Sequence, residues 1–104
     1  MGLLESILTH NSEDLTMLSL LASLYLENNN LDSAYRVYDK LTQLEPDNAN
    51  LYFNKAKIFY EWKSYDDALQ EIASSLRLEL DNEDALELKD RILQKSYYAM
   101  SVYG

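Results

Sequence analysis

Residues 15–48, LTMLSLLASLYLENNNLDSAYRVYDKLTQLEPDN, are answered by residues 49–82, ANLYFNKAKIFYEWKSYDDALQEIASSLRLELDN. Both blocks are 34 residues long and align without a gap. At equal offsets Leu18 meets Tyr52, Ala22 meets Ala56, Tyr25 meets Phe59 and Ala34 meets Ala68. Leu44 then meets Leu78, and Asp47-Asn48 meets Asp81-Asn82. A period of this size marks stacked supersecondary units, none of which can bury its apolar face alone. Stacks of that kind offer an extended surface to a partner, so the repeat points to holding another polypeptide.

Within each block the apolar residues recur at helical spacing. In the second they are Leu51, Tyr52, Ala56, Ile58, Phe59 and Trp62, then Tyr65, Ala68, Leu69, Ile72, Ala73 and Leu76. Lys63-Ser64 interrupts the pattern, and Ser64 followed by Asp66 and Asp67 reads as a helix start. The matching interruption in the first block is Asn28-Asn29-Asn30, where Asn tolerates the left-handed backbone that closes a helix. Each block is therefore expected to be a helical hairpin. Ala22, Ala34, Ala56 and Ala68 are expected where its two helices cross closely. A larger side chain there would overpack, at about 1–3 kcal/mol.

These offsets resemble the tetratricopeptide repeat, which has a large residue at position 4, a small one at 8, an aromatic at 11, Ala at 20, a large residue at 24 and Pro at 32. The first block supplies Leu18, Ala22, Tyr25, Ala34, Tyr38 and Pro46. The second supplies Tyr52, Ala56, Phe59, Ala68, Ile72 and Leu80, and departs only at the proline. The resemblance implies an all-α, right-handed superhelix of antiparallel helix pairs that binds a protein or peptide partner and performs no catalysis.

It also implies a binding groove lined by the first helix of each repeat. At the inward positions stand Ser19, Leu20 and Ser23 from the first repeat and Phe53, Asn54, Lys57 and Tyr60 from the second. A third first-helix would add Leu88, Arg91 and Lys95. Leu20, Phe53, Tyr60 and Leu88 would anchor apolar groups. Lys57, Arg91 and Lys95 would form a basic strip able to neutralise acidic side chains or a terminal carboxylate. Family members that grip the acidic tails of heat-shock chaperones use a two-carboxylate clamp of Lys, Asn, Asn, Lys and Arg. Here only Asn54 matches, while Ser19, Ser23, Asp84 and Leu88 take the other places. That departure argues against chaperone tails as the partner.

The chain has 104 residues, enough for one domain with one core. It has no Cys, so no disulfide framework, thiolate metal site or thiol nucleophile is available. The start MGLLESILTHNSED lacks a basic flank and a long apolar stretch, and no run reaches the roughly 20 apolar residues of a membrane span. A cytoplasmic location is the expectation. A Met-Gly start with Ser6 fits a loose acylation pattern. Leu3, Leu4, Ile7 and Leu8 are read instead as the face of a helix.

The formal charge of −9 opposes attraction to nucleic acid or anionic lipid. The acidic residues cluster at expected helix starts (Glu13-Asp14, Asp47, Asp66-Asp67, Asp81 and Glu83-Asp84), where carboxylates face the positive dipole end. They are read as caps, with no calcium-loop spacing among them. His10 is the single His, and Gly2 and Gly104 are the two glycines, so neither a Ser-His-acid arrangement nor a phosphate-cradling loop is expected. The sequence therefore implies no enzyme, no metal and no cofactor.

Extending the frame backwards sets Leu4, Ile7 and His10 against Tyr38, Leu41 and Leu44, so residues 2–11 read as the second helix of a repeat. Extending it forwards gives a capping helix over residues 83–98, with Leu86 and Leu93 at positions 4 and 11, and then a tail at 99–104. The whole chain is read as one repeat domain. An alternative role is self-association, in which the half-repeat and the apolar tail (Tyr97, Tyr98, Met100, Val102, Tyr103) build a homodimer or part of a longer array.

Overall fold

The computed structural model describes residues 12–103. They form five helices: α1 Ser12–Glu27, α2 Leu31–Leu44, α3 Ala49–Glu61, α4 Tyr65–Leu78 and α5 Glu83–Tyr103. No strand occurs among the described residues. Two compact units are present, Met1–Leu44 and Glu45–Gly104. In the first, α1 packs on α2; in the second, α3 packs on α4, α4 packs on α5, and α3 also touches α5. The expected half-repeat at 2–11, with Leu3, Leu4, Ile7, Leu8 and His10, lies outside the described residues. So do the side chains of Glu13, Asp14, Tyr98, Met100, Val102 and Tyr103.

The hairpin corners follow the sequence. Asn29 has φ 60° and Lys63 has φ 63°, and these two residues hold the same place in the 34-residue frame. At each corner the chain closes the helix in the same way. The Asn30 amide donates to the Tyr25 carbonyl at 2.8 Å and the Asn29 amide to Leu26 at 3.1 Å. Ser64 donates to Phe59 at 2.9 Å and Lys63 to Tyr60 at 3.0 Å. This pair of bonds satisfies carbonyls that the last helical turn leaves open, and it requires the left-handed residue between them. Asn suits that backbone; Lys adopts it at a cost of about 1 kcal/mol.

The helix starts differ in part from expectation. Asn48 and Asn82, rather than the neighbouring aspartates, carry the caps of α3 and α5. Asn48 Oδ1 accepts from the Asn50 amide at 3.1 Å, and Asn82 Oδ1 accepts from the Ala85 amide at 3.1 Å. Glu45 and Glu79 hold these amides by accepting from their Nδ2 atoms, at 3.2 and 3.1 Å. Ser64 stands at the cap of α4, but its hydroxyl makes no capping bond. The acidic pair Asp66-Asp67 serves the first turn of α4 through charge alone.

Ala22, Ala34, Ala56 and Ala68 are all fully buried. In the second unit Ala56, Ala68, Ile72 and Leu76 join Ala85, Leu88 and Ile92 in one cluster, with Phe53, Phe59, Tyr60, Tyr65 and Leu69 packed against it. Two polar features also lie inside this unit. The Ser75 hydroxyl, fully buried, donates to the Ala49 carbonyl at 2.9 Å and ties α4 to the start of α3. Lys55 Nζ lies 3.4 Å from Glu71 Oε2, with side chains 7% and 19% exposed, and joins the middles of α3 and α4. Ala73, expected on the apolar face, is exposed. Trp62 is 40% exposed and sits edge-on to Phe59 at 5.9 Å.

Burial separates two faces on the first helix of a repeat. On α1, Leu18 and Ala22 (positions 4 and 8) are buried under α2, while Met17, Leu20 and Leu24 (positions 3, 6 and 10) are 54–58% exposed. On α5 the order is reversed. Ala85, Leu88 and Ile92 at positions 3, 6 and 10 are buried with α4, and Leu86 and Leu93 at positions 4 and 11 are 45% and 44% exposed. On α1, positions 4 and 8 thus face the second helix of the same repeat; on α5, positions 3, 6 and 10 face α4, the second helix of the preceding one. Helix α5 also runs through Tyr103, past the expected end at residue 98, so residues 99–103 continue the helix.

Candidate partner-binding face

The face proposed by the sequence lies on first helices, between the two buried stripes just described. Within Glu45–Gly104 it is carried by α3 and α5, which touch each other. Phe53 and Tyr60, two turns apart on α3, are half-buried and rest on the cluster that contains Leu88 of α5. Leu88 itself is 8% exposed, so it forms the floor of this face and offers little surface as an anchor. The aromatic rings are held in place. Tyr60 meets Tyr65 edge-on at 6.0 Å, which links the face to the first turn of α4.

Charge is arranged around those rings. The Lys57 ammonium lies 5.5 Å from the centroid of the Phe53 ring, one turn away on the same helix. Such a contact is worth about 0.5–1 kcal/mol when exposed and fixes the ammonium over the ring. Asn54 is half-buried beside them. On α5, Arg91 forms an exposed ion pair with Glu87 at 2.9 Å, one turn apart. Exposed pairs of this kind contribute only a few tenths of a kcal/mol, so a stronger anion can draw the guanidinium away. Lys95 is exposed one turn further on. The resulting arrangement is a rigid aromatic pair flanked by two lysines and a weakly engaged arginine. Glu87, at an inward position of the same helix as Arg91, offsets part of this positive charge.

Ser19, Leu20 and Ser23 belong to the Met1–Leu44 unit. Leu20 is 56% exposed and Ser19 half-buried. Ser23 is exposed but engaged, because its side chain hydrogen-bonds to Tyr38. Burial raises the Tyr38 phenol above its usual range, and the bond from Ser23 offsets part of that rise. Ser23 therefore also supports the interior of its own hairpin.

No group of three or more His, Cys, Asp or Glu side chains that could hold a metal occurs among the described residues. No described helix is long and apolar enough to cross a membrane.

A family model of the TPR repeat matches residues 22–63. The fold is similar to a crystal structure of a tetratricopeptide repeat domain protein from Salinibacter ruber, with a TM-score of 0.66 and 22% identity, over 79% of this chain and 96% of that one. A solution structure of a tetratricopeptide repeat domain protein from the same organism has a TM-score of 0.66 and 24% identity, over 83% of this chain and 90% of that one. No curated protein matches the sequence significantly. The chain has the all-helical fold of tetratricopeptide repeats, as its residue offsets suggested.

Proposed function

We propose that this tetratricopeptide-repeat chain is a non-catalytic protein-interaction module that binds a peptide or a partner helix over α3 and α5. The single observation that carries the reading is the conjunction on α3 of two ordered, half-exposed aromatics with an ammonium held above one of them. Rigid aromatics contribute affinity at low entropic cost, and the flanking cations select the partner. Phe53 and Tyr60 would receive aliphatic or aromatic side chains. Lys57, Arg91 and Lys95 would meet carboxylates of the same segment, with Asn54 positioned to bond its backbone. Ser19, Leu20 and Ser23 would make partner contacts on their own unit, Met1–Leu44. Leu88 supports the rings from below. A cytoplasmic setting is part of this proposal, as is the treatment of residues 1–104 as one repeat domain. Tetratricopeptide folds commonly serve protein–protein contact, which supports the class of function without naming the partner.

Selection from a random peptide display library tests the reading. Enriched sequences should place Asp or Glu beside a large apolar residue. Their affinity should fall at least tenfold in the Lys57→Glu/Lys95→Glu variant and weaken as salt rises. Failure to enrich any sequence, or equal affinity for the charge-reversed variant, would overturn it.

A further inference from the structure

Three groups of the binding face stand in one row. Phe53, Lys57 and Tyr60 occupy i, i+4 and i+7 of α3, the spacing that shares one side of a helix, and all three are half-buried. From Phe53 to Tyr60 the row covers about 10 Å, at a rise of roughly 1.5 Å per residue. Tyr60 is braced edge-on by Tyr65, and both rings of the row pack on the buried cluster of α3, α4 and α5. Lys57 stands between them in the row, its ammonium 5.5 Å from the Phe53 centroid. Arg91 holds the offset of Lys57 in the 34-residue frame, on α5, which touches α3. The order along the row is apolar, cationic, apolar, at a set spacing.

Backbones differ in whether they can answer that order. An extended strand turns alternate residues to one side at steps of about 6.7 Å, so its same-side residues fall short of the span or overshoot it. A polyproline II segment has same-side residues about 9 Å apart at i and i+3, but neither residue between them faces that side. An α-helix meets both requirements. Its residues i and i+7 repeat the span, and i+3 or i+4 lies between them on the same side. Its backbone groups also arrive already bonded to one another, so the face need not supply partners for them.

We propose that the partner segment is an amphipathic helix with large apolar residues at i and i+7 and Asp or Glu at i+3 or i+4, laid along α3. This deepens the interaction reading above and rests on it. The apolar pair seats on Phe53 and Tyr60. The carboxylate between them meets the Lys57 ammonium and draws Arg91 from its exposed pair with Glu87. A partner parallel to α3 uses i+4, and an antiparallel one uses i+3. The charge of −9 repels further acid, so the rest of the segment is neutral or basic.

Fluorescence anisotropy with labelled alanine-based peptides tests this, each carrying Leu at i and i+7. Glu stands at i+3, at i+4, or at i+2 on the far side of the helix; a fourth peptide repeats the tighter of the first two with Pro at i+5. One aligned peptide should bind about fivefold more tightly than the far-side peptide, the scale of one or two exposed charge contacts. The Pro peptide should bind at least tenfold more weakly than its parent. Lys57→Gln/Arg91→Gln, with native circular dichroism, should bring the aligned and far-side peptides to within about twofold of each other. Equal affinity for aligned and far-side Glu, or undiminished binding of the Pro peptide, would overturn the helical pattern and leave the interaction face standing. The same holds if display-selected acidic sequences bind and none of these peptides does. If nothing binds, both proposals fall.

Discussion

The α1–α2 and α3–α4 hairpins share a backbone and differ in what fills it. Both turn at a left-handed residue in the same place of the frame, and both bury two alanines where their helices cross. Where the first hairpin buries Leu41, the second buries the Ser75 hydroxyl, bonded to the Ala49 carbonyl. Where the first has Leu21, the second has Lys55, nearly buried and paired with Glu71. Corners and crossings are thus set by steric and backbone rules that admit few residue types. Interior positions tolerate either an apolar side chain or a polar one that finds its partner.

The comparison predicts unequal costs at matched positions, readable as shifts in urea denaturation midpoint with unchanged slope. Leu41→Ala removes a fully buried side chain and should lose about 2–5 kcal/mol. Lys55→Met leaves the Glu71 carboxylate without its ammonium in a mostly buried site and should lose about 3 kcal/mol, whereas the double replacement Lys55→Met/Glu71→Leu should stay within about 1 kcal/mol of the native chain. If the double replacement proves as damaging as Lys55→Met alone, the pair has a role beyond neutralising a buried charge. Ser75→Ala should lose only about 1 kcal/mol, the value of one buried hydrogen bond, in contrast to its counterpart Leu41.

The smallest effect concerns the corners. Lys63→Gly should stabilise the chain by about 0.5 kcal/mol, because relief of the left-handed strain exceeds the added freedom of the unfolded state. Asn29→Gly should change stability by no more than a few tenths, since Asn already accepts that backbone. Equal responses at the two corners would mean that their geometry is less alike than the paired hydrogen bonds indicate.

The same division explains how much could be read from the residues alone. The repeat, the hairpin breaks at Asn28-Asn29-Asn30 and Lys63-Ser64, and the buried alanines follow from spacing and size. The burial of Lys55 and Ser75 does not, because single polar residues in an amphipathic pattern are ordinarily solvated. Leu86 and Leu93 stand at offsets 4 and 11 of the frame yet lie exposed, since the helix that such positions face is absent among the described residues. Leu88, read as a groove anchor, is core for the complementary reason: its position faces the preceding helix, and α4 is there to cover it. The half-buried aromatics Phe53 and Tyr60 and the ammonium beside them were legible from the helical frame. The Glu87 partner of Arg91 was not, since a helical pair one turn apart reads as ordinary surface charge.

A backbone amide NMR titration with an acidic, aromatic-containing peptide from the display selection tests the central claim most directly. The account predicts shifts concentrated at Phe53, Asn54, Lys57, Tyr60, Arg91 and Lys95, with Asp66, Gln70, Ala73 and Arg77 on the exposed side of α4 unmoved. Shifts that map to that side of α4 and leave α3 unchanged would contradict it.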